Sequence, residues 1–217
     1  LLNLPPLWVN DLPIDGNDEE LRSFLASTEG LSASIYQAIE DGKDLGLAFE
    51  DVQYIATMRR LTGEAKAPGF AKFLLESLKN GAGKCLVFCW HTKVVNILAK
   101  TLTDNGIEVV TLTGATPEQQ RIEAVQRFQE GTAHVFIGNI VAAGTGLTLT
   151  AAESVYMLEI SWRPADNAQA IARAHRKGQN KHVNAYFVSL NRSIDEHVSR
   201  VVQDKTARIL EVDPEAY

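Results

Sequence analysis

The sequence contains little cysteine and no long apolar run. Its 217 residues include two cysteines, Cys85 and Cys89, which stand four positions apart in one apolar stretch. If this stretch is a strand, both thiols lie on one face about 13 Å apart, so they cannot form a disulfide, and their spacing is not that of a metal site. We therefore expect two buried free thiols in a reducing compartment. No apolar run approaches the roughly 20 residues that a membrane helix needs, and we expect no membrane partner.

The sequence also lacks a Walker A loop and an Asp-Glu pair after a hydrophobic strand. Residues 80–84 (Asn-Gly-Ala-Gly-Lys) come nearest, but Leu78 occupies the first glycine position and Cys85 the Ser/Thr position. The segment follows a helical pattern and precedes a strand pattern, the reverse of what a phosphate loop needs. We interpret it as a turn that ends a helix. The chain starts without Met, and we expect it to belong to a longer protein.

Basic charge is scarce overall but concentrated in one region. The net charge is −6, which by itself argues against nucleic-acid binding, because phosphate contacts need cations. Residues 1–60 carry 4 basic and 11 acidic side chains, whereas residues 163–208 carry 9 basic and 4 acidic ones. The distribution therefore predicts a basic face on an otherwise acidic domain.

The order of apolar patterns predicts the fold. The first 16 residues include Pro5, Pro6 and Pro13, and we expect no extended regular element there. Residues 17–80 read as helices. After Lys84, strand patterns alternate with helical ones, which is typical of an α/β fold with a parallel sheet flanked by crossover helices. The predicted strands cover 86–90, 109–112, 134–137, 155–158 and 183–190, and the predicted helices 94–105, 117–130, 167–176 and 194–210.

Two glycines after the third of these strands offer a candidate phosphate contact. Gly144 and Gly146, with Glu159 at the end of the next strand, resemble a dinucleotide-binding fingerprint. That interpretation would make the protein a nucleotide-cofactor oxidoreductase. However, Leu149 stands at the third glycine position, and about eight residues before the next strand are too few for a crossover helix. A loop that approaches phosphate or nucleic acid, and a plain tight turn, both stay open.

Two arginines near the end of the fourth helical pattern are candidate phosphate ligands. Gln169, Arg173 and Arg176 stand at i, i+4 and i+7, on one stripe of a continuous helix. Arginines one turn apart repel each other, whereas their planar guanidinium groups match phosphate oxygens. Arginine can also neutralise the charge of a transferring phosphoryl group. The alternative for the two arginines is a solvated basic face, and the alternative for Gln169 is the third position of a helix cap that begins at Asp166.

Other polar residues follow the predicted strands. Thr92 and Lys93 come after the first strand, where such residues are usually surface or capping groups. The segment from Gly114 to Thr116 reads first as a helix cap, with Pro at the first helical position. Trp162 either stacks on a base or packs in the core.

The order of these motifs resembles the second RecA-like lobe of the Swi/Snf family of DNA-dependent ATPases, in helicase superfamily two. The motifs are Phe88-x-x-x-Thr92, Gly114-x-Thr116 with Arg121 and Phe128, Ala143-Gly144-Thr145-Gly146-Leu147, Glu159-x-x-Trp162-x-Pro164, Gln169-Ala170-x-x-Arg173-Ala174-His175-Arg176-x-Gly178-Gln179, Ser193-Ile194-Asp195-Glu196 and Lys205. The resemblance covers residues 66–210, and Glu64-Ala65-Lys66 is similar to the lead-in of the annealing-helicase subgroup. We expect a linker and helical lead-in over 1–65 and the lobe over 66–217.

The resemblance implies an intracellular two-lobed motor on double-stranded DNA, whose first lobe, outside this chain, holds ATP and Mg²⁺. It implies that Arg173 and Arg176 are arginine fingers oriented by Gln169, and that Gly144 and Gly146 line the ATP cleft. The DNA-binding residues that it implies are Thr92, Lys93, Gly114, Thr116, Thr145 and Trp162. The chain departs from the family at Thr148, Arg163, Ile171 and Ala172. A non-catalytic module with the same fold, binding nucleic acid or protein, is the alternative.

Overall fold

A six-stranded parallel sheet forms the centre of the protein. The structure, a computed structural model, describes residues 4–28, 30–50, 52–140 and 146–212. The strand order is β1-β6-β5-β2-β4-β3, and every neighbouring pair is parallel. The strands are β1 (Leu7–Ile14), β2 (Cys85–Cys89), β3 (Val109–Leu112), β4 (Val135–Asn139), β5 (Ser154–Met157) and β6 (Val183–Leu190). The predicted α/β fold with a parallel sheet is therefore confirmed.

Helices cover both faces of this sheet, as parallel strands require. The lead-in contains α1 (Glu19–Ser27), α2 (Leu31–Glu40) and α3 (Leu45–Ala48), and α4 (Ile55–Lys79) follows it. The connections between strands contain α5 (Thr92–Asp104), α6 (Glu118–Gln129) and α7 (Pro164–Ile171), and α8 (Ile194–Val212) follows β6. None of the described helices combines the length and apolarity needed to cross a membrane.

The first strand corrects one prediction from the sequence. Residues 7–14 form a regular eight-residue edge strand that pairs with the whole of β6. An edge strand tolerates Pro13 because one side of its backbone needs no partner. Pro5 and Pro6 precede the strand. The expectation of no extended regular element there was wrong because the pairing partner lies far away in the sequence.

Helix α4 connects the lead-in to the sheet. It runs for 25 residues without interruption at Pro68, so the predicted boundary between residues 65 and 66 falls inside it, and the division into two segments stays a prediction. Gly69 brings this helix close to the end of β1, since an added Cβ atom there would lie 2.2 Å from the carbonyl oxygen of Asp15.

A buried ion pair joins α4 to α8. Lys66, 1% exposed, donates its Nζ to Asp195 Oδ2 at 2.9 Å and to the Val188 carbonyl at 2.7 Å. The same carboxylate oxygen accepts the Leu190 backbone N–H at 2.9 Å. The elements α4, α8 and β6 thus meet at one ion pair. Each of its buried charges has a partner of opposite sign, as the burial of charge requires.

The two cysteines lie on one face of β2, both fully buried beneath α4 and α5. They are free thiols, as predicted. Burial raises the pKa of Cys85 to about 12, and it also raises that of Cys89 well above its ordinary value.

We expect neither thiol of the native protein to react with Ellman's reagent near pH 8.5, the ordinary cysteine pKa, because no thiolate forms in the core. Unfolding in guanidinium chloride should expose both. Because the folded-state pKa is raised, the cysteines should also lower stability as the pH rises above about 8.5. Rapid reaction of the native thiols would contradict this prediction.

We expect Asp195→Ala to lower the free energy of unfolding by about 3–5 kcal/mol, because it leaves Lys66 charged and buried without its partner. The matched control is Asp104→Ala, which removes an exposed partner of Lys100 and should cost less than about 1 kcal/mol. Urea denaturation measures both. Similar costs for the two variants would show that the buried pair is not structurally important.

Candidate functional site

The predicted site residues fall into two groups on the sheet. Thr92 follows β2, Gly114 and Thr116 follow β3, and Trp162 follows β5, so this group lies at the carboxyl ends of the strands. The arginine segment, defined as residues 172–179, instead contacts residues 147–152, which lead into the amino end of β5. The predicted residues Gly144 and Thr145 lie outside the described residues.

The arginines do not lie on a continuous helix, which corrects the predicted helical stripe. Helix α7 ends at Ile171, and the segment continues as turns. The Arg173 carbonyl accepts the backbone N–H of Leu149 at 2.9 Å, so a distant segment takes an acceptor that a longer helix would use. Gln169 stays on α7 and is half-buried.

Arg173 and Arg176 place two positive charges close together. Arg173 is 5% exposed, whereas Arg176 is half-buried and donates Nη1 to the Leu147 carbonyl at 3.3 Å. Burial, and then the charge of Arg176, lower the pKa of Arg173. Gly146, next to Leu147, has a φ of +67°, a backbone conformation that favours glycine. A cationic pair beside exposed backbone fits a polyphosphate.

Gln179 holds the arginine segment against the residues that lead into β5. Its Nε2 lies 3.0 Å from the carbonyl oxygens of Thr150 and Ala152 and 3.1 Å from that of Ala174. Its Oε1 accepts the N–H groups of Asn180 and Lys181. The buried amide is therefore satisfied at both ends and holds two loops together.

Glu159 organises the carboxyl edge of the sheet. It is buried, and its Oε2 accepts the N–H groups of Trp90 and His91 at 2.8 and 2.9 Å. Its Oε1 lies 2.6 Å from His91 Nδ1. These bonds fix the start of α5, where Thr92 and Lys93 are exposed. Because both oxygens already have partners, Glu159 is poorly placed to bind a ribose, which counts against the dinucleotide interpretation.

Helix α4 packs tightly against this carboxylate. Arg59 donates Nη2 to the Ile160 carbonyl at 3.1 Å, and its guanidinium lies 4.4 Å from the Trp90 ring centroid. Burial lowers the pKa of Arg59, while the nearby Glu159 and Asp166 carboxylates oppose that shift. A Cβ atom on Gly63 would lie 2.2 Å from Glu159 Oε1. Sequence reasoning missed Arg59, Gly63 and His91, because no local pattern distinguishes them.

The remaining predicted DNA contacts differ in exposure. Lys93 is exposed, but its Nζ lies 2.6 Å from Glu64 Oε2. Gly114 is exposed. Thr116 does not cap α6, which starts at Glu118 after Pro117. Its hydroxyl instead accepts the Thr113 N–H at 2.9 Å, so the predicted cap is a turn.

Trp162 is 6% exposed and packs edge-on against Phe49, with ring centroids 5.8 Å apart. This packing is that of a core residue. Its ring would have to leave this packing to stack on a base, and its DNA-binding role stays a prediction.

The described residues offer no group of three His, Cys, Asp or Glu side chains able to hold a metal ion.

Comparison with known proteins identifies relatives. Residues 69–178 match the family model of the helicase conserved C-terminal domain. The chain is 32% identical over 200 residues to the Bos taurus DNA annealing helicase and endonuclease ZRANB3, covering 90% of this chain and 18% of that protein. It is 25% identical over 193 residues to the Xenopus tropicalis SWI/SNF-related matrix-associated actin-dependent regulator of chromatin subfamily A-like protein 1, covering 86% of this chain and 20% of that protein.

The fold is also similar to a solved structure, the C-terminal part of the Fun30 ATPase domain. The TM-score is 0.68 at 18% identity, and the match covers 97% of this chain and 100% of that one. The chain thus spans about a fifth of the length of the curated relatives described above.

We expect Gly63→Ala to destabilise the protein by about 1–3 kcal/mol, because the methyl group would push the fixed Glu159 carboxylate from its partners. Glycine-to-alanine changes inside helices normally stabilise by roughly 0.5–1 kcal/mol, so the sign is diagnostic. Gly114→Ala, where nothing lies within 4 Å of the added atom, is the control. Thermal and urea unfolding measure both, and a stabilised Gly63 variant would contradict the described packing.

Proposed function

The chain belongs to the helicase conserved C-terminal domain family, within the Swi/Snf family of superfamily two, and from this membership we propose that it is the second motor lobe of an ATP-dependent duplex-DNA translocase. Its RecA-like fold matches that role. In the proposal, a first lobe of the same parent protein holds ATP and Mg²⁺. This chain supplies arginines across the cleft and part of the DNA track.

The arrangement of Arg173 and Arg176 carries the proposal. Within the described part of the chain, Arg176 makes one side-chain bond, to the Leu147 carbonyl, whereas a guanidinium has five N–H donors. The remaining donors can bind phosphate oxygens and neutralise charge that develops during phosphoryl transfer. Arg173, which is buried, adds a second positive charge near Arg176. Bound ATP supplies the phosphoryl group, and the positioning of these two cations is what this chain contributes.

The other cleft residues have supporting roles in this proposal. Gln169, on the last turn of α7, orients the arginines that follow. Gly146 lets the backbone approach the nucleotide, and we assign Gly144 the same role.

The carboxyl edge of the sheet is the proposed DNA side. Helix α5 begins there with Thr92 and Lys93 exposed, and a helix N-terminus favours phosphate. We assign DNA phosphate contacts to both residues and to Gly114 and Thr116 at this edge, and also to Thr145, which lies outside the described residues. Trp162 borders the track. Such a motor works inside cells, in the cytoplasm and nucleoid or in the nucleus.

We expect Arg176→Ala in the full-length protein to reduce DNA-stimulated ATP hydrolysis by about 10³–10⁵-fold. DNA affinity should change little, because the arginine segment lies away from the carboxyl edge. The matched control is Arg200→Ala, which removes a mostly exposed arginine of the same basic region. Steady-state turnover and DNA binding at one fixed salt concentration are the measurements. Near-normal turnover of Arg176→Ala would refute the finger role.

We expect the purified 217-residue chain to show no DNA-stimulated ATPase activity, because its sequence lacks a Walker A loop. Phosphate release with and without duplex DNA measures this, with the full-length protein as the positive control. Appreciable turnover by the 217-residue chain would contradict the division of labour between two lobes.

A further inference from the structure

His175 stands between the two arginines and is itself buried, at 6% exposed. Its Nε2 lies 2.7 Å from the carbonyl oxygen of Pro5, 170 positions away in sequence. Because a carbonyl oxygen can only accept, the ring must donate the Nε2 proton. The arginine segment is therefore bonded to the start of the chain through one imidazole.

The Pro5 carbonyl is held in a fixed place. Pro6 restricts the preceding residue to extended conformations, and both rings fix φ near −65°. The Pro6 carbonyl accepts the Val183 N–H at 3.0 Å, and β1 then pairs with β6 from Leu7 to Ile14. The acceptor of His175 thus lies two residues before β1, in a segment that is bonded to the sheet edge.

Both local turns and external bonds hold the arginine segment. The backbone N–H groups of Arg173, Ala174 and His175 bond to the carbonyl oxygens of Ala170 and Ile171 at 3.2, 3.1 and 3.1 Å, but the helix itself ends at Ile171, five positions before Arg176. The bonds of Arg173, Arg176 and Gln179 described above attach the segment to residues 147–152. The bond of His175 attaches it to a different part of the fold, the sheet edge at β1. Attachments to two different parts of the fold determine the orientation of a short segment better than one attachment does.

We propose that His175 is a positioning residue for the arginine pair, and that β1 with its preceding prolines is the anchor from which it acts. This inference rests on the proposed function, because it gives the pair a reaction to serve. His175 does not touch the nucleotide in this proposal. It acts by holding the backbone from which Arg173 and Arg176 extend.

The test compares His175→Phe with His175→Gln in the full-length protein. Phenylalanine keeps the ring volume but cannot donate to Pro5, whereas the glutamine amide nitrogen can take the place of Nε2. We expect His175→Phe to lower kcat for DNA-stimulated ATP hydrolysis about 10- to 100-fold, since small misplacements of catalytic groups cost this much. The KM for ATP should change little, and His175→Gln should recover most of the turnover. His134→Phe, which alters an exposed histidine, is the control.

A second readout does not depend on turnover. Amide hydrogen exchange of residues 173–179, measured without nucleotide, should become faster in His175→Phe and stay near wild type in His175→Gln. The melting temperature, followed by circular dichroism, shows whether a variant is folded. If His175→Phe does not fold, His175→Asn takes its place, because its shorter amide does not reach Pro5.

The outcomes separate the two proposals. If Arg176→Ala abolishes turnover while His175→Phe keeps kcat within about twofold, the positioning role is wrong and the proposed function stands. If His175→Gln fails to recover turnover, the bond to Pro5 is not what matters, and the inference is overturned. If Arg176→Ala leaves turnover intact, the finger role fails. In that case the hydrogen-exchange measurement alone tests the anchor at β1. Unchanged exchange of residues 173–179 in His175→Phe overturns the anchor, and faster exchange supports it.

Discussion

The parallel direction of all six strands is the constraint on which the rest of the molecule depends. Each connection must return from the carboxyl end of one strand to the amino end of another, so the sheet acquires two chemically different ends. Segments that leave the strands carry Thr92, Gly114 and the Glu159 network. Segments that enter them carry the arginines and Gln179. In the proposed function, the duplex and the nucleotide therefore use different ends of one small sheet and do not compete for the same surface.

The sequence predicted much of this fold because its strongest signals are local. Strands β2 to β6 are short buried runs, and their predicted bounds agree with the structure to within one or two residues. The strand β1 and the end of α7 were missed, because their determinants are remote: Val183 and Leu149 provide N–H groups that local patterns do not show.

The candidate site shows the same division between local and remote information. Residue type and spacing marked Arg173, Arg176 and the residues after the strands as candidates, and their roles stay predictions. They could not identify how Arg59, His91 or His175 act, because each side chain finds its partner far along the chain, at separations of 101, 68 and 170 positions. The net charge of residues 163–208 did not show how much basic charge reaches the surface, because some of these charges are internal. Arg173 is buried, and Asp195 forms an ion pair with the buried Lys66.

The pairing of β1 with β6 also protects the sheet. Without residues 7–14, the eight residues of β6 would become an open edge whose N–H and C=O groups could recruit a strand from another molecule. Pro13, which has no backbone N–H to donate, makes the present edge a poorer template. A shorter version of the chain that begins inside α4 would therefore be prone to aggregate, even if it kept the whole arginine segment.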